Sequence, residues 1–519
     1  MYVISYDLGT TGNKATLFSI DGKLLASTFC PYKTLYPAPN QAEQDPNEWW
    51  ESIKTTTLKL LNRTRVDSNS IKVISISGQM MGVVPVDRKG FPLRNAIIWA
   101  DQRSVFQVKK VLEKMSNEKI YKLTGSRITP TYFGPKVAWI KDNEPEIYRR
   151  TYKFLFPKDF IVYKLTGIFG TDYTDASMSN IFDIKKLTWS DEIVDALGID
   201  LDKLPDPRPS TEIVGKLLPN IAQELGLSTQ VMVVRGAGDG PSATVGAGIV
   251  DSNEAYIYLG SSSWISTCSN EPFYDPYART FNFLYPLSKA FCPTGTMQAG
   301  GASYEWFKNV FCRYESEIAD ILGSDTYAIL DFLIDQTFPG SKGLIFLPYI
   351  LGERSPYWNP NARGAFIGIS ILHSKADFIR AVLEGVAMNL RIILDIFENE
   401  GKFKFEKIKL IGGGAQGKKW RQIIANVFQR PIVLTQHPLE ATSIGAAIIG
   451  VIGAGLLSKE ESNAIFVRDL IMVEPQGEFF TTYEKLYEVF KKTYQVLVEV
   501  FEELSKIQNN INGGENYEV

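Results

Sequence analysis

Histidine is nearly missing from this chain: His373 and His437 are the only two imidazoles in 519 residues. Mechanisms that depend on a histidine base, and metal sites built from several histidines, are nearly excluded, so proton chemistry falls to carboxylates. Cysteine is scarce too. Cys30, Cys268, Cys292 and Cys312 form no CxxC pair or other metal-ligand spacing, which suits a reducing compartment and makes the cytoplasm the expected location. There is no basic excess: 55 Lys and Arg stand against 58 Asp and Glu, a formal net charge of -3 that leaves nothing to attract nucleic acid.

Export and membrane signals are also thin. The chain opens as MYVISYDLG, with an acidic residue at position 7 where a signal peptide would carry its uncharged apolar region. One stretch, Ala441 to Ser458, has no charge over about a membrane-spanning length. Gly445, Gly450, Gly453 and Gly455 within it point instead to a buried helix that lets another backbone approach closely. No membrane association is expected.

What is present is the composition of a globular protein, 45% hydrophobic and 22% charged, with a length that predicts two large lobes. YVISYDLG, KATLFSI and LLASTF are three β-rich runs separated by turn residues, a meander. The pattern recurs about 250 residues later as EAYIYLG, SSS, WISTCSN, so two lobes of related design are expected with a boundary near Val245 to Ser252. KVISISGQMMG, VMVVRGAGDG and KIKLIGGGAQG read as buried strands feeding glycine-rich loops, and DFIRAVLEGVAMNLRIILDIF has helical spacing. An α/β architecture follows.

Several loops suit phosphate and sugar chemistry. The DLGTTGN turn offers successive backbone N–H groups plus the Thr10 and Thr11 hydroxyls, with Asp7 beside it to hold Mg2+ through water. LGSSSW, with Gly260 and Ser261, repeats the theme, and a nucleoside triphosphate needs donors on several phosphates. GAGDG sets Asp239 between Gly238 and Gly240 at a strand end, open to a ligand; a turn aspartate capping the next helix is the plainer alternative. Gly412, Gly414 and Gly417 fit a GxGxxG dinucleotide pattern, but the acidic ribose ligand about 20 residues on is missing. With Lys418 they nearly make a P-loop, yet Lys419 replaces the hydroxyl that would bind the metal. A bare turn for adenine or ribose remains. Gln79, Asp101 and Arg103 offer hydroxyl contacts and Trp99 an apolar face for a carbon chain, whereas Met80 and Met81 read equally as core.

Taken in order, these segments resemble the FGGY carbohydrate kinases from Met1 to about residue 457: DLGTTG, EQDPNEWW, GQMMG, IIWADQR, LFPKDF, GAGDG, LGSSS, LPYILGERSP, LIGGGAQG, and GAFIGI followed after seven residues by DFIRAVLE. The resemblance implies two ribonuclease-H-like lobes of the actin and hexokinase type, at 1–247 and 248–508, with the active site in the cleft and a frayed tail at 509–519. It implies ATP and Mg2+ as cofactors. Asp239 inherits the role of catalytic base, and Asp7 that of the metal-associated catalytic aspartate. Thr10, Thr11, Gly260 and Ser261 would sit by the phosphates, and Gly413, Gly414 and Gly417 would border the adenosine.

Within the family, EQDPNEWW and the WxD-R pattern look most like the xylulokinase branch, so D-xylulose is the first expected substrate. Gln79, Met80, Met81, Trp99, Asp101, Tyr132 and Gly240 would then contact the sugar. Met81 stands where that branch has His and Gly240 where it has Asn, which keeps gluconate, ribulose, a tetrulose or a deoxy sugar open. An actin-like ATPase switch is the rival of another class. The expected partner is a small sugar, with room for a homodimer.

Overall fold

The computed structural model describes residues 1–511. Of the tail expected at 509–519, residues 512–519 lie outside the described residues, while 509–511 complete the last helix, Phe480–Ile511.

The opening meander forms as its turn residues predict. Strands β1 (Tyr2–Leu8), β2 (Gly12–Ser19) and β3 (Leu24–Pro31) pair antiparallel in sequence order. β4 (Ile71–Gly78) then adds parallel to β1, followed by β5 (Ile213–Lys216) and β6 (Met232–Val234), so the sheet runs β5-β6-β4-β1-β2-β3. A two-residue strand, β7 (Ala237–Gly238), pairs with the end of β4.

The second sheet repeats this plan. β8 (Ala255–Leu259), β9 (Ser263–Thr267), β10 (Phe281–Leu284), β11 (Phe291–Met297), β12 (Ile408–Ile411), β13 (Ile432–Thr435) and β14 (Asp469–Val473) run in the order β10-β11-β9-β8-β12-β13-β14. In both sheets the first strand lies between its antiparallel hairpin partner and a parallel strand. In both, the second parallel strand is followed by an antiparallel edge strand. The recurring hairpin in the sequence thus marks a repeated topology, and the strands of the first sheet end at Gly238 while those of the second begin at Ala255.

Helices cover the sheets because the central strands are apolar on both faces: Val3, Ile4, Tyr6 and Leu8 of β1 are all buried. α1 (Pro46–Thr64), N-capped by Asp45, packs on β2 and β3. α2 (Asp239–Gly246) starts directly after β7, and the longest interior helix, α3 (Lys375–Asn399), opens with a Ser374–Asp377 capping box. α4 (Lys418–Phe428) and α5 (Ala441–Gly453) follow the last two parallel strands, and α6 (Phe480–Ile511) closes the chain.

α5 is the uncharged stretch, and its glycines serve the purpose expected of them. It comes from the second half of the chain but packs over β1 and β4 of the first sheet and crosses α2. A Cβ on Gly445 would stand 1.8 Å from the Ser242 carbonyl oxygen, and one on Gly246 1.7 Å from that of Ala441. The two helices touch backbone to backbone. No helix among the described residues is long and apolar enough to cross a membrane.

Candidate active site

The β1–β2 turn brings Asp7 opposite Lys14 of β2 and beside Ser77 of β4. Burial pushes the Asp7 carboxyl up to about 6; the Lys14 ammonium pulls it back, and Glu440 of the second half pushes it further up. Lys14 joins the two halves here, with Nζ 3.0 Å from Glu440 and 3.2 Å from the Leu439 carbonyl. The turn itself is anchored from below: the Tyr32 hydroxyl donates to the Gly9 carbonyl, and Gln44 Nε2 donates to that of Thr10 at 2.7 Å. Thr10 is half-buried and Thr11 exposed.

Asp239 is the first residue of α2, where β7 gives way to the helix. Its Oδ1 accepts the neighbouring Gly240 N–H, at 2.8 Å, and no side chain among the described residues donates to it, so the carboxylate is not consumed by the fold. Burial raises it to about 7, and the charge of Asp7 adds to the rise, which places the two carboxylates within electrostatic reach of one another. Tyr258 of β8 senses both, its hydroxyl held up at about 12 by burial and by the charges of Asp7 and Asp239. The second glycine–serine turn follows β8 directly, with Gly260 half-buried and Ser261 exposed. Gly301 and Ala302 N–H groups donate to the Gly260 and Ser261 carbonyls, and the Gly260 N–H donates to the Ser262 carbonyl at 3.2 Å.

The third turn follows β12. Gly412 has a left-handed φ of 91°, and a Cβ there would press within 2.8 Å of the Leu259 carbonyl oxygen, so only glycine fits beside β8. Gly414 packs against Leu259 and Trp420, whereas Gly413 is exposed and an added Cβ would meet nothing within 4 Å, and Gly417 caps α4. An open backbone surface results.

Next to the β1–β2 turn lies a cavity of about 760 Å3 between the halves. Met81, Trp99 and Tyr132 line it from the first half, and Phe281, Glu353 and Arg354 from the second. Trp99 connects it to the β1–β2 turn, its indole N–H donating to Thr10 Oγ1 at 2.8 Å. Met81 is held at a φ of 64°, with its carbonyl accepting from the fully buried Lys136, which also donates to Ile98 and Thr131 carbonyls at 2.7 and 2.6 Å. Neither Asp7 nor Asp239 lines this cavity.

Four expected sugar contacts lie elsewhere. Asp101 is fully buried, accepting the Ala42 N–H at 2.7 Å and gripping the Arg103 guanidinium at 2.7 Å, so it braces the loop and does not line the cavity. Gln79, 1% exposed, donates to Gln44 Oε1 at 2.8 Å underneath the β1–β2 turn. Met80 packs on Gly238, and Gly240 is buried against Phe283. Conversely, Glu353 and Arg354 belong to LPYILGERSP, a segment whose residue pattern alone assigns them no role. Glu353 is raised to about 8 by burial and accepts from the Gln298 and Arg354 N–H groups and from Asn389. Arg354 has no carboxylate within ion-pair distance among the described residues.

Comparison with known proteins settles the family. Residues 2–246 match the N-terminal domain of the FGGY family of carbohydrate kinases, and residues 255–454 match its C-terminal domain. The chain belongs to this family. It is 31% identical over 491 residues to a xylulose kinase of Bacillus subtilis, covering 94% of this chain and 96% of the relative. A gluconokinase of the same organism is 32% identical over 490 residues, covering 94% of each. Among solved structures, a ligand-bound xylulose kinase from Lactobacillus acidophilus superposes with a TM-score of 0.88 at 29% identity, covering 97% of this chain and 99% of that one. The protein is thus an ATP-dependent sugar kinase with the two-lobed actin and hexokinase-type fold, and the dinucleotide and P-loop readings of the Gly412–Lys418 turn fall away.

Proposed function

We propose that this kinase phosphorylates D-xylulose to D-xylulose 5-phosphate, with Asp239 as the base that accepts the hydroxyl proton. The observation that supports the reading is the Asp7 and Asp239 pair, two carboxylates in electrostatic reach of one another, with Trp99 tying the Thr10 turn to an interlobe cavity. The substrate rests on relatives named xylulose kinase at 31% and 34% identity over 94% of the chain.

The sugar hydroxyl attacks the γ-phosphorus in line as the bond to the β,γ-bridging oxygen breaks, ADP leaves, and the proton passes to an Asp239 carboxylate oxygen. A carboxyl near 7 is half ionised at neutral pH, which matches a base whose proton arrives late, when the new P–O bond has made it acidic. Backbone N–H groups of the Thr10–Thr11 and Gly260–Ser261 turns hold the phosphates, and Gly413, Gly414 and Gly417 border the adenosine. Trp99 and Tyr132 line the sugar's apolar side, and closing the lobes expels water that would otherwise compete as acceptor.

Among the described residues, Asp7 and Asp239 have only Lys14 as a nearby cation against their mutual repulsion, a donor set that suits one Mg2+ held through a carboxylate, water and substrate phosphates. Asp7 would hold it, and it would neutralise charge on the transferring phosphoryl group. The four cysteines are free thiols, in keeping with a cytoplasmic enzyme.

A second reading, an aldonate such as D-gluconate, is favoured by Arg354, whose guanidinium in the cavity wall would meet a carboxylate. ADP release measured with Mg-ATP across ketoses, polyols and aldonates decides between them. D-Xylulose is expected to give the highest kcat/KM. Preference for gluconate, lost in Arg354→Leu, would move the assignment to the aldonate.

A further inference from the structure

Behind the GAGDG corner lies a group of ionisable side chains that the phosphoryl-transfer scheme does not use. Lys158, in the helix Pro157–Thr166, is fully buried with three aspartates around its ammonium: Asp159 at 2.5 Å, Asp172 at 3.0 Å and Asp175 at 3.2 Å, each of them buried. Three carboxylates on one ammonium is an expensive arrangement inside a protein, because every desolvated charge must be offset by well-aimed partners. Burial and mutual repulsion raise Asp159 and Asp175 above the ordinary carboxylate range. Nothing about folding a sheet requires such a cluster.

Its hydrogen bonds lead to the catalytic corner. Asp172 Oδ2 accepts from the Thr174 N–H at 2.8 Å, from the Thr174 hydroxyl at 2.6 Å and from Ser210 Oγ at 2.7 Å. Thr174 Oγ1, its own proton committed to Asp172, accepts the N–H of Gly238 at 2.9 Å. Gly238 is the residue before Asp239 and caps α2 without any side-chain hydrogen bond of its own. On the other side, Gly238 pairs with Gly78 at the end of β4, and a Cβ on Gly78 would lie 2.9 Å from Lys158 Cβ. The cluster therefore grips both strand ends from which the active-site loops depart.

We propose that Thr174, held by Asp172 and Lys158, is a positioning residue for the phosphoryl transfer: its hydroxyl fixes the peptide of Gly238 and so aims the Asp239 carboxylate. The Thr174 oxygen links the charged cluster to that peptide, and the ionised Asp172 partner makes the bond charge-assisted and stiff. This role rests on Asp239 being the base.

Thr174→Val removes the oxygen while keeping the shape, and Thr174→Ser keeps the oxygen. Steady-state kinetics against sugar and ATP, with the pH dependence of kcat/KM, are read for both variants beside Asp239→Asn. For Thr174→Val the expected result is a kcat lower by about tenfold or more, since small displacements of a reacting group cost this much, with both KM values within about threefold. The acid limb of its profile should move to lower pH as Asp239 leaves its dry position near Asp7. Thr174→Ser should recover most of kcat and the wild-type limb. If Thr174→Val does not fold, Thr174→Ala removes the same oxygen and is read instead. A kcat within about twofold of wild type with an unmoved limb, or a Thr174→Ser variant as impaired as Thr174→Val, overturns the proposal. An active Asp239→Asn would instead overturn the base assignment, so the two failures are distinguishable.

Discussion

The crossing of α2 and α5 offers a perturbation whose size follows from backbone positions alone. A methyl placed on Gly445 would lie 1.8 Å from the Ser242 carbonyl oxygen, 2.7 Å from its carbon and 3.0 Å from Gly246 N. These are main-chain atoms, so no side chain can swing aside. Reaching an ordinary contact requires the helices to separate by roughly 1.5 Å. Overpacking of this kind costs about 1–3 kcal/mol, which for lobes of this size lowers the thermal midpoint by about 2–4 °C per kcal/mol. The same displacement reaches catalysis, because Ser242 lies within the first turn of the helix that begins at Asp239. A shift of about 1 Å at a reacting group costs on the order of 100-fold in rate. Gly445→Ala should therefore lose several degrees of midpoint and most of kcat together, measured by differential scanning fluorimetry and ADP release. Gly477→Ala is the control, since nothing lies within 4 Å of its added carbon and its φ is not left-handed. A Gly445→Ala enzyme that matches Gly477→Ala in both midpoint and kcat would refute the reasoning.

Other substitutions separate stability from chemistry. Gly413→Ala adds a methyl to open space and should leave the midpoint unchanged while raising the KM for ATP by about tenfold or more, because the methyl occupies the surface offered to adenosine. Asp239 sits at about 7 against an ordinary 3.8, so the folded state disfavours its ionised form. The stability it contributes is full below the ordinary carboxyl value and is lost as pH rises through about 7. Asp239→Asn should accordingly melt higher than wild type at about pH 8 and no higher at about pH 4, while wild-type kcat/KM falls below about pH 7 as the base is protonated. Asp175 Oδ2 lies 3.2 Å from the buried Lys158 ammonium, and burial raises the Asp175 carboxyl above the ordinary range. Asp175→Asn leaves Asp159 and Asp172 on that ammonium, so it should lower unfolding free energy by less than the about 3–5 kcal/mol that loss of a sole buried partner costs, as denaturant melts would report.

The fold was legible in the sequence because its strongest signals are local. A β-rich run, a small-residue turn and a second β run can be read within a short window, and their recurrence announced two sheets of one design. The glycines of Ala441–Ser458 likewise told of a close helix crossing. The sugar side was harder. Asp101 looks like a ligand in WADQR, but Arg103 two residues away returns to clamp it, and motif reading assigns no direction to a side chain. Gln79 is turned under the β1–β2 turn by Gln44, 35 residues distant in the chain. Glu353 and Arg354 reach the cavity only because the second lobe folds across the first, bringing them beside Trp99 and Tyr132 from far earlier in the chain. Spacing along the chain carries no trace of such a meeting.

The proposed mechanism centres on Asp239 as acceptor of the sugar hydroxyl proton when the γ-phosphoryl group moves to that hydroxyl. The most direct test follows label from γ-labelled ATP into product with D-xylulose, in wild type and in Asp239→Asn, with ATP affinity measured separately by calorimetry. Labelled sugar phosphate is expected from the wild type, with loss of about 1,000-fold or more in the variant and ATP binding retained. Label transferred to sugar by Asp239→Asn at close to the wild-type rate, or released as inorganic phosphate at a rate indifferent to sugar, would contradict it.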